Sequence, residues 1–173
     1  YWQDAVFGTE ELDSFSPDII YIHTNWRNIE KFPKIDDSIE EVDAMLEAEY
    51  NRWSTMWNQL SEKFQCTIIQ NNFERSNYRL MGNRDIWDYR GTCNYISRLN
   101  QKLYSYAQTH SNFYINDIDY LAQDYGISNW NNTLYWNMYK YAMNLEAIPY
   151  VAKSISDIVK SIYGKNKKII SLD

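Results

Sequence analysis

The sequence contains few of the residues that build metal and redox centres. Two cysteines and two histidines occur among its 173 residues. Cys66 and Cys93 show neither metal-ligand nor redox-motif spacing, and we expect both to be buried free thiols in a reducing compartment, the cytoplasm. The histidines lie far apart along the chain, which argues against a histidine-based metal site. The sequence therefore predicts no metal ion and no cofactor within this chain.

Long apolar runs and an excess of positive charge are also absent. No apolar run approaches the roughly 20 residues of a membrane-spanning helix, and no signal peptide is visible. The formal net charge is −6 at pH 7. Electrostatic binding to nucleic acid or to an anionic membrane needs a basic face. The sequence therefore predicts neither nucleic acid nor membrane as a partner.

Motifs of common nucleotide-binding proteins and hydrolases are missing too. The sequence has no glycine-rich phosphate loop, no zinc-binding pattern and no Gly-x-Ser-x-Gly turn. It is instead rich in aromatic side chains, with 16 tyrosines and 7 tryptophans. Such residues either fill a core or line a binding surface, and we favour the core.

Four short apolar runs, rich in isoleucine and bounded by polar residues, are typical of buried strands. They cover residues 18–24, 67–71, 113–116 and 168–172. Helical patterns separate them, over residues 39–64, 86–106, 118–125 and 149–163, with an aromatic, less regular segment at 134–147. Ser38 with Glu41 predicts a capping box at the start of the first long helix, and Gly126 predicts the end of the short one.

The alternation of strands and helices predicts an α/β fold. We expect three layers, α/β/α, in which helices cover both faces of a parallel, flavodoxin-like sheet. Four strands are few for such a sheet, and we expect one or two further strands and a helix upstream of Tyr1. A chain rarely ends on a core strand, so we also expect it to be a piece of a longer protein.

Polar side chains follow each of the first three predicted strands. Because ligands of open α/β sheets bind where parallel strands end, we expect these side chains to converge on one cleft. Amide and guanidinium groups there would hydrogen-bond an oxyanion or a phosphate. The other interpretation is that the asparagines and aspartates cap the helices that follow. The predicted cleft residues of this group are His23, Asn25, Arg27, Asn28, Asn71, Asn72, Asp117 and Asp119.

Some of these residues allow two interpretations individually. His23, at the end of the first strand, is either a donor to a ligand or a buried imidazole with its hydrogen bonds satisfied. Asp117 and Asp119 are the paired carboxylates that stand out for acid–base chemistry, but we favour capping of the following helix by one of them. The residues alone leave the role of His23 open.

Several motifs resemble the FkbH-like proteins, which join an SGNH-hydrolase-like domain to a phosphatase-like domain of the haloacid dehalogenase (HAD) type. The central motif is the run from Ile115 to Asp119, followed by Tyr120-Leu121-Ala122 and Gly126. The other matching features are Ser16 to Ile20, Trp130, Trp136, Lys140, Val151-Ala152 and the lysine-rich lead into residues 169–173. The order and spacing of these motifs carry the resemblance over most of the chain.

The resemblance implies a division into domains. Residues 1–164 correspond to part of the SGNH-hydrolase-like domain, and residues 165–173 to a linker and the first strand of the HAD domain. Asp173 corresponds to the first aspartate of the HAD signature D-x-D-x-T, the catalytic nucleophile of the intact parent, where Mg²⁺ would also bind. The HAD part of the family is associated with loading a glycerate-derived three-carbon unit onto an acyl carrier protein, or with phosphatase-like chemistry.

The SGNH pattern of the family is incomplete in this sequence. Its Gly-Asp-Ser nucleophile block is missing after the first strand. Its oxyanion asparagine falls on Asn25, with Trp26 in place of an aspartate. Its Asp-x-x-His block falls near Asn132, so that the catalytic acid and base are both replaced. Asn132 and Lys140 complete the predicted substrate cleft.

Three hypotheses follow. In the first, the chain is a non-catalytic module that positions a substrate or an acyl carrier protein for the HAD domain. In the second, it is an active SGNH-type ester hydrolase whose serine lies upstream. In the third, it is a structural or oligomerising domain that uses its aromatic surface. The expected partners are an acyl carrier protein or a small-molecule ester or phosphate.

Overall fold

The computed structural model describes residues 10–165, which fold into parallel strands flanked by helices. The strands are β1 (Ile19–Ile22), β2 (Thr67–Asn71) and β3 (Phe113–Asn116). The α-helices are α1 (Glu10–Phe15), α2 (Ile39–Phe64), α3 (Thr92–Thr109), α4 (Ile118–Tyr125), α5 (Ile127–Trp130), α6 (Thr133–Tyr139) and α7 (Ile148–Ile162). Short 3-10 turns cover Trp26–Asn28, Gly82–Ile86 and Leu145–Ala147.

The strands lie in the order β1-β2-β3, and both neighbouring pairs are parallel. In the register, Ile20 is the partner of Ile68, and Ile68 is the partner of Phe113. The predicted α/β class with a parallel sheet is confirmed. The fourth predicted strand, residues 168–172, and Asp173 lie outside the described residues.

One face of the sheet, which we call the closed face, is covered by α2 and α3. It carries Ile22, Ile68 and Phe113, which are buried against the aromatic side chains of the two helices. The Trp57 ring lies 4.8 Å from that of Phe113, and its Nε1 donates to Gln70 Oε1 at 3.0 Å. A fully buried tryptophan whose only polar atom is paired stabilises such a core strongly.

The opposite face, which we call the cleft face, carries Tyr21, Asn71 and Asn116, because successive side chains of a strand point to opposite sides. Helix α7 packs on this face beside β3, where Ser154 Oγ donates to Asn116 Oδ1 at 2.7 Å. A second, smaller core lies under α4–α7. Its buried members are Ile118, Ala122, Trp130, Met143, Ala147 and Val151.

Two of the predicted helices differ from those in the structure. The pattern over 86–106 predicts a helix from residue 86, but α3 begins at Thr92. Gly91 packs so closely against the chain that a Cβ atom there would lie 2.1 Å from the carbonyl oxygen of Asp85. The Asp85 carboxylate accepts a hydrogen bond from the backbone N of Cys93 at 2.7 Å. These contacts hold the preceding residues in turns.

The aromatic segment 134–147 is predicted to be helical, and in the structure only part of it is. Helix α6 ends after Tyr139, where Lys140 adopts a left-handed conformation with φ of 60°. The chain then returns to the second core, since Asn144 N donates to Trp130 O at 2.7 Å. The helix thus ends in a local left-handed cap, and the chain after it is held by a contact to Trp130, neither of which the periodicity reveals.

Other local predictions agree with the structure. Ser38 and Glu41 form the predicted capping box, with Glu41 N donating to Ser38 Oγ at 3.2 Å and Ser38 N to Glu41 Oε2 at 2.7 Å. Cys66 and Cys93 are buried and free. Within residues 10–165, no helix combines the length and the apolar character needed to cross a membrane.

Candidate functional site

A cleft of about 640 Å³ opens on the cleft face, between the end of β1 and the segment α6–α7. Residues from the end of β1 and the turn after it form one wall. Residues of α6, α7 and the chain between them form the other, which is mainly apolar. The lining residues are Tyr21, His23, Asn25, Asn28, Trp136, Lys140, Tyr141, Ala142, Met143, Ile148, Val151, Ala152 and Ile155.

Asn25 and Asn28 cap the turn that follows β1, in a reciprocal arrangement. Asn25 Oδ1 accepts from the backbone N of Arg27 at 2.8 Å, and Asn28 Oδ1 accepts from the backbone N of Asn25 at 2.9 Å. Because backbone N–H groups are obligatory donors, both amide oxygens must face the turn. Each side chain is left with its Nδ2 donor, which has no hydrogen-bond partner among the described residues.

Asn71 lies beneath the cleft, and its amide orientation is fixed in the same way. Its Nδ2 donates to the backbone carbonyl of Thr24 at 3.1 Å, an atom that only accepts. Its Oδ1 accepts from Tyr21 OH at 2.9 Å and from Asn116 Nδ2 at 2.8 Å. The remaining Nδ2 hydrogen therefore faces His23 Nδ1, 3.1 Å away.

This network favours one tautomer of His23. The second Nδ2 hydrogen of Asn71 is left for Nδ1, which favours the neutral ring with its proton on Nε2. Tyr21 OH lies 2.9 Å from both Nδ1 and Asn71 Oδ1, so its single proton serves one of these two acceptors. Burial lowers the pKa of His23, which favours the neutral ring at neutral pH. His23 thus presents an N–H donor, and Nε2 has no hydrogen-bond partner within residues 10–165.

Arg27 lies within the same turn but does not line the cleft. Its guanidinium group lies between two indole rings, 4.4 Å from the centroid of Trp26 and 4.6 Å from that of Trp136. Its Nη1 donates to Asn131 Oδ1 at 3.2 Å. Arg27 therefore joins the β1 side of the cleft to the α6 side.

Glu74 is a buried acid that the sequence did not single out. It follows β2, is 0% exposed, and accepts a hydrogen bond from the backbone N of Trp26 at 3.2 Å. Its Oε1 has no partner among the described residues. Burial raises the pKa of Glu74 to about 8, so that the carboxyl group is mostly protonated at neutral pH.

Asn72, Asp117 and Asp119 form a separate group around the start of α4. Asn72 Nδ2 donates to Asp117 Oδ1 at 2.6 Å, and Asp119 N donates to Asn72 Oδ1 at 3.1 Å. Asp117 Oδ1 also accepts from Tyr120 N at 3.0 Å and caps the helix. Asp119 pairs with Arg75, while burial raises the pKa of its carboxyl group. These contacts hold the loop after β2 against α4.

The predicted site residues thus divide into several groups. The structure brings His23, Asn25, Asn28 and Lys140 together at the cleft, and Asn71 supports them from below. Asn132 instead caps α6, accepting from Tyr135 N at 3.1 Å. The remaining residues, Arg27, Asn72, Asp117 and Asp119, lie outside the lining, and Asp173 lies outside the described residues.

Tyr21 and Glu74 lie in this region but were not among the predicted site residues. Tyr21 lies within a predicted strand, so its alternation with buried isoleucines would have placed it on the cleft face. Glu74 carries no signal of this kind, because its burial depends on how the loop after β2 folds back on Trp26. Among the described residues, no group of three or more His, Cys, Asp or Glu side chains is placed to bind a metal ion.

Comparisons with known proteins give one family and one fold. Residues 4–160 match the family model described as FkbH, N-terminal domain. The N-terminal part of the protein BF1531 from Bacteroides fragilis, described as containing a phosphatase domain complexed with Mg, has a similar structure with a TM-score of 0.77. It is 18% identical, and the alignment covers 96% of this chain and 43% of that one. The chain therefore spans less than half of that structure, and the likeness establishes the fold alone. No match was found among curated proteins.

Proposed function

The chain belongs to the FkbH family as its N-terminal domain, and from this premise we propose that it binds and positions a substrate for a phosphatase domain without doing chemistry itself. The family predicted from the sequence motifs is confirmed. The presence of a phosphatase domain in the similar Bacteroides fragilis protein supports the proposed partner. Any Mg²⁺ would then belong to that partner domain, with Asp173 as its first carboxylate.

The hydrogen bonding of His23 is the observation that carries the proposal. A serine hydrolase needs an imidazole whose Nε2 takes the proton of the nucleophile while its Nδ1–H is held by a carboxylate. Among the described residues no carboxylate contacts Nδ1 of His23, whose neighbours are the Asn71 amide at 3.1 Å and Tyr21 OH at 2.9 Å. The imidazole at the cleft therefore lacks the partner that a triad base needs, and the tautomer favoured by Asn71 makes Nε2 a hydrogen-bond donor.

The substrate is a small phosphate or ester, or an acyl group delivered on an acyl carrier protein. The cleft supports both forms, because it is open on the surface and combines polar donors with an apolar wall. The cleft would hold the substrate while the phosphatase domain acts on it. Such positioning raises the effective concentration of the reacting group.

A blocked cleft in the whole protein tests the proposal. Ala152 is exposed on α7 and lines the cleft, so Ala152→Trp fills the cleft without disturbing a core. Ala48→Trp, at an exposed position on α2, is the matched control. Phosphate release is measured with p-nitrophenyl phosphate and with a panel of phosphorylated hydroxy acids, free and carrier-bound. We expect Ala152→Trp to lower kcat/KM for members of the panel far more than for p-nitrophenyl phosphate.

The absence of such a difference would contradict the proposal. Equal kinetics for the two tryptophan variants would mean that the cleft has no role in substrate binding.

The ester-hydrolase alternative rests on His23 being the imidazole at the cleft, and it predicts turnover of p-nitrophenyl acetate that His23→Ala abolishes. The oligomerisation alternative rests on exposed aromatic residues such as Tyr139, Tyr141 and Tyr150. It predicts a concentration-dependent mass in sedimentation that Tyr150→Lys reduces.

A further inference from the structure

We propose that the ligand of the cleft is an aliphatic monocarboxylate, with its carboxylate at the end of β1 and its chain along α7. This assignment rests on the proposed function and names the part of the substrate that the cleft would hold, the carboxylate with its aliphatic chain. The phosphate or ester on which the phosphatase domain acts would then lie outside the cleft. It follows from the kinds of polar atom that line the cleft, their charges and the position of the apolar wall.

Three polar side chains that line the cleft keep a donor without a partner among the described residues. The amides of Asn25 and Asn28 have their oxygens committed to backbone N–H groups, which leaves two Nδ2 donors. His23 adds Nε2–H in the tautomer that Asn71 favours. Donors that are fixed before binding favour a ligand rich in acceptor atoms and cost little reorganisation. A carboxylate accepts at two oxygens with about four lone-pair positions.

The charge at the cleft fits a single negative charge on the ligand. The chain as a whole is acidic, with 23 aspartates and glutamates against 17 lysines and arginines. The cleft lining nonetheless contains Lys140 and no aspartate or glutamate among the described residues. One ammonium group compensates one anionic charge, whereas a phosphate dianion would keep a charge without a partner.

The apolar wall accounts for the rest of the ligand. Val151, Ala152 and Ile155 line the cleft from one face of α7, and Met143 and Ile148 extend this wall. An aliphatic chain lying there removes apolar surface from water on both sides. A short acid such as acetate would reach the donors and leave this wall uncovered.

Calorimetric titration of the purified protein with sodium hexanoate tests the assignment, with hexylammonium, acetate and hexyl phosphate as comparison ligands. Asn28→Asp is the informative variant, because aspartate keeps the capping oxygen and replaces the Nδ2 donor by a negative oxygen. Asn58→Asp is its matched control. Asn58 lies on α2, and its Oδ1 accepts from Tyr106 OH, so the same chemical change is made away from the cleft.

We expect hexanoate to bind, and Asn28→Asp to weaken its binding by about tenfold or more, because like charges then face each other. Asn58→Asp should bind hexanoate as the unmodified protein does. Nitrogen NMR should show His23 in the Nε2–H form, with a shift of Nε2 on addition of hexanoate. Acetate should bind more weakly than hexanoate, and hexylammonium should not bind.

Other outcomes would overturn the assignment. Equal binding of hexanoate by the Asn28→Asp and Asn58→Asp variants would remove the donor argument, and tighter binding of hexyl phosphate than of hexanoate would replace carboxylate by phosphate. Failure here is distinct from failure of the proposed function. If no hexanoate binds but Ala152→Trp still impairs the phosphatase reaction, the cleft positions a substrate of another class.

Discussion

The two faces of the sheet are built in different ways. The closed face packs α2 and α3 through large aromatic side chains such as Trp53 and Trp57, and these are almost fully buried. The cleft face has polar side chains at its strand ends, a smaller core under α4–α7, and exposed apolar residues such as Leu134 and Ile148. The stabilising burial and the candidate site therefore lie on opposite sides of the same three strands.

This division separates stability from binding. The amides of Asn71 and Asn116 take positions on the cleft face that apolar side chains would fill in a simple core. Buried amides contribute less than apolar side chains unless all their hydrogen bonds are made. The aromatic packing on the closed face compensates for that loss. Substitutions on the two faces should accordingly differ in the loss of stability that they cause and in how much of the chain they affect.

The largest loss of stability is expected from Trp57→Ala on the closed face. The change opens a cavity between Tyr106 and Phe113 and leaves Gln70 Oε1 without its donor. We expect a loss of about 4 kcal/mol in the free energy of unfolding. Urea denaturation followed by circular dichroism measures it. A loss below that of Trp130→Ala would contradict the assignment of the main core to this face.

Trp130→Ala makes the corresponding change in the core under α4–α7. Trp130 is 0% exposed, but its Nε1 has no partner among the described residues, so only apolar contacts are lost. We expect a cost of about 3 kcal/mol. Hydrogen exchange should become faster in α4–α7 and remain slow in β2. Equal acceleration in both would mean that the two faces unfold as one unit.

Glu74→Gln should change how stability depends on pH. The pKa of Glu74 is raised to about 8 in the folded protein, above its ordinary value of 4.5. Between pH 4.5 and about 8 the Glu74 carboxyl group is therefore protonated in the folded state but ionised in the unfolded state. The free energy of unfolding consequently falls as the pH rises through this range. We expect the variant to be more stable than the unmodified protein by about 4 kcal/mol at pH 8. The difference should vanish at about pH 4, and a constant difference would rule out this titration.

The smallest effect is expected at the junction of the two regions. Arg27→Met keeps an unbranched side chain between Trp26 and Trp136 and removes the charge that both rings face. We expect a loss of about 1 kcal/mol, in the range of cation–π contacts. Thermal unfolding and tryptophan fluorescence measure it. An effect as large as that of Trp130→Ala would show that Arg27 anchors the whole α4–α7 segment.

The parts of the fold that could be predicted depend on local patterns. The isoleucine-rich strands and the capping box of Ser38 and Glu41 have signals within a few residues, and the structure agrees with them. The start of α3 could not be predicted in this way. It depends on the close approach of Gly91 to Asp85, and the pattern of apolar residues is the same on both sides of that contact.

The position of the candidate site at the strand ends could be predicted from the sequence. Which atoms of its side chains donate hydrogen bonds could not. Residues after parallel strands meet at one edge, so His23 and Asn25 could be placed from the strand assignment. The tautomer of His23 required the orientation of Asn71, which depends on a carbonyl of another strand end. The capping interpretation of Asn25 agrees with the structure, since its oxygen caps the turn, and its role as a ligand donor stays a prediction.

The burial of both native thiols makes the protein convenient for site-specific labelling. Burial raises the pKa of Cys66 and raises that of Cys93 to about 11. At neutral pH only roughly one Cys93 thiol in ten thousand is then a thiolate, the form that reacts with maleimides. A cysteine introduced at Ala152, an exposed residue that lines the cleft, would react first. A single fluorophore there could report ligand entry in the otherwise unmodified chain.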